Sequence, residues 1–424
     1  MPMTSRQPNR RQVLIGSGVA LTAGVLAGPP RAFAAPAIPD VDVHVLVIDG
    51  MRPDELTADL TPTLDRLAAE GTAYSDASAI MVAETLPNHA AMMTGVLPSR
   101  SGVPSNAIFD PEAGGTRDLD RPTDLKASTV LDRVRDELGL VTASVLSKRY
   151  LHGLFGDRAS VVWDPAPLMP GTEHAPDIYT MRALIDTLDG QSPRLTFTNL
   201  GDVDRVGHLD LSGVSLRIAR TEALRNTDRQ VEKLVEHLRG TGAWSRSVLI
   251  VLADHSMDWS EPSKLIGLTR PLNADPLLEG KVEICQNGGA DLIYWTGGPA
   301  ARDTAVDRIR QIVAGVEGVE STALPAELDL GSRAGDVIAF CLPGWRFSDP
   351  TPLSNPIPGN HGHRSTQPIP FFVTGGHPQV QKRKTVSEKV HTIDVAPTVA
   401  ALFGLPAPAG GWDGKARLQA FSLQ

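Results

Sequence analysis

The stretch Val43-His44-Val45-Leu46-Val47-Ile48-Asp49-Gly50 is a mostly apolar, β-branched run that stops at an aspartate and a glycine. A run of this kind suits a strand of a parallel sheet, because helices cover both of its faces and leave it no solvent side. Asp49 then stands at the strand's carboxyl end, where open α/β sheets place their ligands. Working outward, Thr61-Pro62 opens a helix through Glu70, with Thr61 as cap and Pro62 at the first helical position, and Gly71 ends it. A second helix is expected after Pro87, strands at 141–146, 194–200 and 247–253, and helices at 215–239 and 391–403. Strands alternating with helices make the expected fold α/β: a mainly parallel central sheet with helices on both faces. Between His255 and His361 the texture changes. Ala290–Trp295 and Asp336–Cys341 read as strands flanking a helix at 301–314, which suggests a small α/β lobe inserted at about 260–350. Gly344–Pro358, rich in proline and aromatic residues, reads as an ordered loop.

The chain has 424 residues, 41% of them hydrophobic, enough for one large domain or two smaller ones. A net charge of −9 argues against a stable nucleic-acid partner, which needs a basic excess. Phosphate chemistry in so acidic a chain needs a local positive centre, and bound metal supplies one. Two cysteines, Cys285 and Cys341, exclude a disulfide scaffold and any cysteine-rich zinc site; they form one bridge or stay as free thiols. Asn9-Arg10-Arg11-Gln12-Val13-Leu14 resembles a twin-arginine export motif, ahead of the apolar run Val13–Ala27 and a small-residue cleavage site at Ala32-Phe33-Ala34. A membrane anchor is the alternative, but the run is Gly-rich and shorter than the ~20 residues a span needs. The expectation is a signal peptide at 1–34, passage through the twin-arginine machinery, and an exported protein with no membrane span after processing. Its removal takes away four arginines and no acids, lowering the net charge from −9 to −13.

Three histidines stand in contexts suited to metal binding. Asp204 and His208 are spaced i, i+4, so one helical turn points both the same way. Asp254-His255 follows the apolar run Val248–Leu252, again at a strand's carboxyl end. His361 lies in Gly359-Asn360-His361-Gly362, where the glycines permit a tight turn. Singly each is weak; together they gather at one edge of one expected sheet. In Glu84-Thr85-Leu86-Pro87-Asn88-His89, Thr85 offers a hydroxyl just before a proline-started helix, whose partial positive charge favours an alkoxide and attracts a phosphoryl group. Taken alone, Thr85 reads more readily as a helix-capping threonine than as a nucleophile.

Val45–Asp54 followed by Thr61–Asp65, the segment Thr85–His89 with Thr94-Gly95 and Pro98–Asn106, and then Asp204…His208, Asp254-His255 and His361-Gly362, in that order, resemble the alkaline phosphatase superfamily. The nearest branch is the type I phosphodiesterase/nucleotide pyrophosphatase family, over about residues 43–404. The resemblance implies one phosphoesterase domain at 40–424 that hydrolyses a small phosphorylated substrate, with phosphodiester or pyrophosphate bonds favoured. It implies two zinc ions, other divalent metals being the alternative: one held by Asp204, His208 and His361, the other by Asp49, Asp254 and His255, with Thr85 as nucleophile and ligand. It also implies a phosphothreonine intermediate and Asn106 as a donor to a phosphoryl oxygen. His363 and Asp202 are neighbouring candidates for His361 and Asp204. Two features depart from the nucleotide-cleaving pattern. Leu86 replaces the usual aromatic residue after the nucleophile. Ser147-Lys148-Arg149 resembles a lysine-bearing segment of phosphomonoesterase and phosphonoacetate hydrolase branches, so Lys148 is a substrate-binding candidate or else a solvated strand-end lysine. Monoester or phosphonate hydrolysis is therefore the alternative activity. A sulfatase needs a modifiable Cys or Ser at the nucleophile position, and a retired binding scaffold predicts a missing ligand; the sequence has neither.

Overall fold

The computed structural model describes residues 40–208 and 215–422, so the expected signal peptide lies outside the described residues. The Val43–Ile48 run forms β1 (Asp42–Ile48), every residue of it buried. The other strands of its sheet are β2 (Thr72–Tyr74), β3 (Thr142–Leu146), β4 (Val161–Trp163), β5 (Leu195–Leu200), β6 (Ser247–Leu252), β7 (Phe371–Thr374) and β8 (Lys384–Val386). Their order is β8-β2-β7-β6-β1-β5-β3-β4. β1 pairs in parallel with β5 and β6, and β3 with β5 and β4, while β7 runs antiparallel to both of its neighbours. The sheet is thus mainly parallel, with β1 among its central strands, as its uninterrupted apolar character requires.

The helices that matter for the site are α1 (Pro62–Glu70), α2 (Thr85–Thr94), α3 (Val130–Leu138), α4 (Asp177–Gln191), α5 (Asp202–His208), α6 (Ser215–Gly240) and α7 (Val395–Leu402). α1, α4 and α5 pack against α6, whereas α2, α3 and α7 pack against one another, and both groups also touch the sheet. Core side chains such as Leu46, Phe197, Ile250 and Phe372 are almost fully enclosed; truncating one to alanine costs about 2–5 kcal/mol.

Two local expectations need correction. Thr61 does occupy the position before α1, but its hydroxyl donates to the Glu55 carbonyl (2.9 Å) and caps nothing. The Asp228 carboxylate, arriving from α6, accepts instead from the amides of Thr63 (3.1 Å) and Leu64 (2.9 Å). A carboxylate suits the positive end of a helix better than a hydroxyl does. The second helix starts at Thr85, not after Pro87. Pro87 is its third residue, where the missing N–H is one that a helix leaves unpaired in any case.

Residues 282–341 form a separate four-stranded antiparallel sheet, in the order Val282–Asn287, Ala290–Trp295, Val337–Cys341, Val319–Ala323. Helix Arg302–Ala314 packs on it, and Leu268, Leu272, Ile293, Ile309, Val337 and Phe347 build a second core. Cys285 and Cys341 sit in this sheet as free, buried thiols. Within 344–358, Asn355 is tied to the Ser348 hydroxyl and the Phe347 carbonyl. No described helix is long and apolar enough to cross a membrane.

Candidate metal centre and active site

The register of the sheet builds the site. Val47 pairs with Leu252, so two residues further on Asp49 and Asp254 leave adjacent strands at the same level. Gly50 makes their approach possible. Its φ of +70° suits glycine, its amide donates to Asp254 Oδ1 (3.1 Å), and a Cβ there would lie 3.1 Å from the Asp204 side chain. Asp204 and His208 come from the roughly two turns of α5, and their i, i+4 spacing puts His208 Nε2 3.3 Å from Asp204 Oδ1. The chain returns past the lobe to place the His361 ring on that of His255, with centroids 3.8 Å apart.

Two sets of side chains each bring ligand atoms within 4.8 Å of one another: Asp49, Asp254 and His255, and Asp204, His255 and His361. The first is the set expected for one metal. In the second His255 takes the place expected for His208. His208 lies just outside, with Nδ1 on the Gly359 carbonyl (2.8 Å) and Nε2 engaged directly with Asp204. His363 and Asp202 stand apart from both sets: His363 Nε2 contacts Asp258 (3.0 Å), and Asp202 contacts Arg205 and the Asp177 amide.

Several buried groups here lack a protein partner. Asp49 Oδ1, Asp254 Oδ2 and His361 Nδ1 make no hydrogen bond, and Asp204 Oδ1 has only the 3.3 Å approach of His208 Nε2. His255 Nδ1 faces the Ser256 carbonyl (2.9 Å) and so carries the proton, which leaves the Nε2 lone pair 3.3 Å from Asp254 Oδ2 and 3.7 Å from Asp49 Oδ1. Acceptors facing acceptors in a buried site fit a cation between them. The electrostatics agree. Burial, then repulsion from Asp254, pushes Asp49 up to about 7; burial pushes Asp254 to about 7 as well. Burial also holds His361 well below its ordinary value, helped by His255 and His208.

Thr85 Oγ1 lies 3.2 Å from His255 Nε2 and 3.4 Å from Lys148 Nζ. Lys148 is not a solvated strand-end lysine: it is fully enclosed, with Nζ 2.8 Å from Asp49 Oδ2 and 2.7 Å from Asp204 Oδ2. Burial opposes its charge, but those two carboxylates outweigh it and hold the ammonium well above its ordinary value. The reading of Lys148 as a direct substrate contact is thus displaced inward, to the carboxylates and to Thr85. Asn106 Oδ1 accepts from the Leu86 amide (2.8 Å), which ties down the start of α2, and Asn106 is one of the residues lining the cleft beside it.

Sequence reading missed several members of the site. Asn199 Nδ2 donates to Asp49 Oδ2 (2.7 Å) and meets His89 Nε2 (2.9 Å), while His89 Nδ1 holds the Thr85 carbonyl (2.9 Å). A polar residue near the end of the buried run Leu195–Leu200 was the available signal. Buried Glu84 accepts from the Asn106 amide with Oε2 (2.6 Å) and has no partner for Oε1; burial pushes its carboxyl up to about 8. A cleft of about 320 Å³ opens from this centre, lined by Glu84, Tyr150, His174, Asn287, Ile357 and Asn360 together with Asp204, His208 and His361.

Known proteins share this arrangement of elements. The chain is 22% identical over 335 residues to an ectonucleotide pyrophosphatase/phosphodiesterase of Caenorhabditis elegans, covering 75% of this chain and 41% of that protein. It is 24% identical over 251 residues to human ectonucleotide pyrophosphatase/phosphodiesterase family member 5, covering 56% of this chain and 49% of that one. The alignments thus take in less than half the length of these curated relatives. Among solved structures, murine ectonucleotide pyrophosphatase/phosphodiesterase 5 superposes with a TM-score of 0.73 at 18% identity, over 90% of this chain and all of that one (100%). Phosphonoacetate hydrolase from Sinorhizobium meliloti, in complex with phosphonoformate, gives 0.66 at 18% identity, over 88% and 97%. The family model for type I phosphodiesterase/nucleotide pyrophosphatase matches residues 43–364. That match runs from the opening of β1 to just beyond His361 and takes in every candidate ligand: the chain belongs to the type I phosphodiesterase/nucleotide pyrophosphatase family.

Proposed function

We propose that this chain is an exported, two-zinc hydrolase of phosphoryl esters, acting on phosphodiester or pyrophosphate bonds through a phosphothreonine on Thr85. The observation that carries the reading is the unpaired set of buried oxygens and imidazole nitrogens around the Thr85 hydroxyl. Asp49, Asp254 and His255 would hold one ion, and Asp204, His208 and His361 the other. Bound zinc supplies Lewis acidity, which favours the ionised hydroxyl and withdraws charge from phosphoryl oxygens.

The chain's own residues do the rest. Asn199 and the Gly50 amide fix the Asp49 and Asp254 carboxylates, and His89, which holds the Thr85 carbonyl within α2, meets Asn199 and so ties the start of the helix to β5. Thr85 Oγ attacks phosphorus, forming one P–O bond as the ester P–O bond breaks and the alcohol departs with a proton. Water then displaces Thr85 from the phosphoryl group. Lys148 Nζ lies close enough to stabilise the oxyanion at Thr85, and Asn106, whose Oδ1 is taken by the Leu86 amide, would keep its side-chain NH2 for a non-bridging phosphoryl oxygen.

A second reading rests on Lys148. Counting its charge, two zinc ions outweigh the three aspartates even with Thr85 ionised, and a dianionic monoester or phosphonate exploits that excess better than a diester does. Zinc-loaded protein spanning 35–424, assayed on bis-p-nitrophenyl phosphate and on p-nitrophenyl phosphate, separates the two. The diester reading expects the higher kcat/KM on the diester, with about two zinc ions per chain by metal analysis. A metal-free active enzyme would refute both readings.

A further inference from the structure

Helix α6 contributes no residue to either ligand set, yet one of its side chains reaches the backbone beside both. Arg220 is buried, and its Nε and Nη2 donate to the two oxygens of Glu55 (2.6 and 2.8 Å). An ordinary ion pair would end there. Here Nη2 also donates to the Gly50 carbonyl (2.8 Å) and Nη1 to the Val203 carbonyl (2.8 Å). Gly50 directly follows Asp49, and Val203 directly precedes Asp204. One guanidinium therefore joins the end of β1 to the first turn of α5. Trp259 braces it: the guanidinium carbon lies 5.1 Å from the ring centroid, and the indole Nε1 donates to the Gly207 carbonyl (3.1 Å), next to His208. A Cβ on Gly207 would fall 2.5 Å from Arg220 Nη1, so glycine there admits the guanidinium. Trp259 also pairs with Gly359, two residues before His361.

A guanidinium is planar and its donors point in fixed directions, so two carbonyls bonded to it are held at a set separation. Glu55 takes the Nε edge and keeps the plane from turning. Lys148 joins the same two segments at their carboxylates, but an ammonium's donors rotate and impose no such spacing. We propose that Arg220, braced by Glu55 and Trp259, is a positioning residue that sets the separation of the Asp49 and Asp204 carboxylates, and with it the fit of each ligand set to its ion. Its hydrogen bonds go to the backbone beside the ligands, so it acts through Asp49 and Asp204 and not on substrate. The inference rests on the metal-dependent hydrolase reading above.

Arg220→Lys tests it, since lysine keeps the charge beside Glu55 but cannot span both carbonyls. Arg133→Lys is the control. Arg133 is also buried, pairs with Glu137, donates to the Pro406 carbonyl and lies over the Trp412 ring, but has no part in the site. EDTA-treated wild type and variants are titrated with zinc against a chromophoric chelator, well below the Tm measured for each. Arg220→Lys should bind zinc about 10–100-fold more weakly than wild type, and Arg133→Lys within about twofold of it whatever its loss of Tm. Wild-type affinity in a folded Arg220→Lys, or an equal loss in Arg133→Lys, overturns the inference and leaves the hydrolase reading intact. If Arg220→Lys does not fold, Trp259→Phe decides, because it keeps a ring beside the guanidinium and loses the donor to Gly207. Weaker zinc binding than in Arg133→Lys then supports the inference, and equal binding overturns it. Wild-type protein that cleaves the esters without binding zinc overturns the metal-dependent reading and this inference together.

Discussion

Lys148→Met removes one charge and little volume from the centre of the site. The ammonium lies within 2.8 Å of Asp49 and Asp204, and all three side chains are buried. Withdrawing one partner of such a cluster costs about 3–5 kcal/mol, because the remaining carboxylates are left uncompensated. Asp49 already sits near 7 and takes up a proton easily, so the lower part of that range applies, about 3–4 kcal/mol. With an unfolding entropy of about 2.1 cal/mol/K per residue, a domain of this size has roughly 0.8 kcal/mol/K, and the expected fall in Tm is about 4–5 °C. The lysine is held well above its unfolded value of 10.5, so its stabilisation is complete below that pH and is lost only as pH rises through the higher folded value. A measurement at pH 8 therefore sees all of it. Scanning calorimetry of EDTA-treated and zinc-loaded protein should show the full deficit without metal. With metal the deficit should shrink to about half or less, since bound cations compensate the same carboxylates. Equal deficits in the two states, or none in either, would refute the idea that Lys148 and metal answer the same negative charge.

Thr85→Ala should abolish turnover with Tm within about 2 °C of wild type, whereas Thr85→Ser keeps a measurable rate; near-normal rates for Thr85→Ala would reduce the residue to a structural element of α2. Asp124 accepts from Arg117 and, across to the lobe side, from Arg333. Burial opposes its ionisation, but the two guanidinium groups win and lower it to about 2, so its contribution is full above about pH 4 and fades as pH falls toward 2. Asp124→Ala should cost about 3 kcal/mol at neutral pH and clearly less at pH 2.5, read from denaturant unfolding at the two pH values. Replacing Arg10 and Arg11 together with lysine should leave precursor in the cytoplasm on fractionation; normal export of that variant would point to the general secretory route.

The parts of the fold that could be read from sequence were those with long, uniform signals. β1 and β6 are mostly apolar runs of seven and six residues, and the aspartates that follow them stand out because charge succeeds apolarity abruptly. β2, β7 and β8 have three or four residues each, too few for any periodicity, and their place in the sheet depends on partners far along the chain. The metal-ligand candidates were legible as types in context. Asn199, Glu84, Tyr150 and Asn360 were not, since an asparagine or a glutamate carries no mark of burial until the fold brings its neighbours to it. Lys148 was a substrate-binding candidate through the resemblance of Ser147-Lys148-Arg149 to a lysine-bearing segment; its double ion pair depends on Asp49 and Asp204, 99 and 56 positions away in the chain.

The sheet order has a consequence for how the protein is made. β6 lies between β1 and β7, and β7 is the last strand but one, at residues 371–374. His361 comes only ten residues before it. A ribosome adding about 5–20 residues per second needs some 15–60 s to go from Asp49 to His361. Throughout that interval β6, once synthesised, presents an open edge, and the ligand set lacks a member. The Asp49, Asp254 and His255 set is complete once His255 is made, whereas the set with His361 waits for the lobe, translated between them, which also sets how long the nascent sheet keeps its most apolar strands incompletely paired.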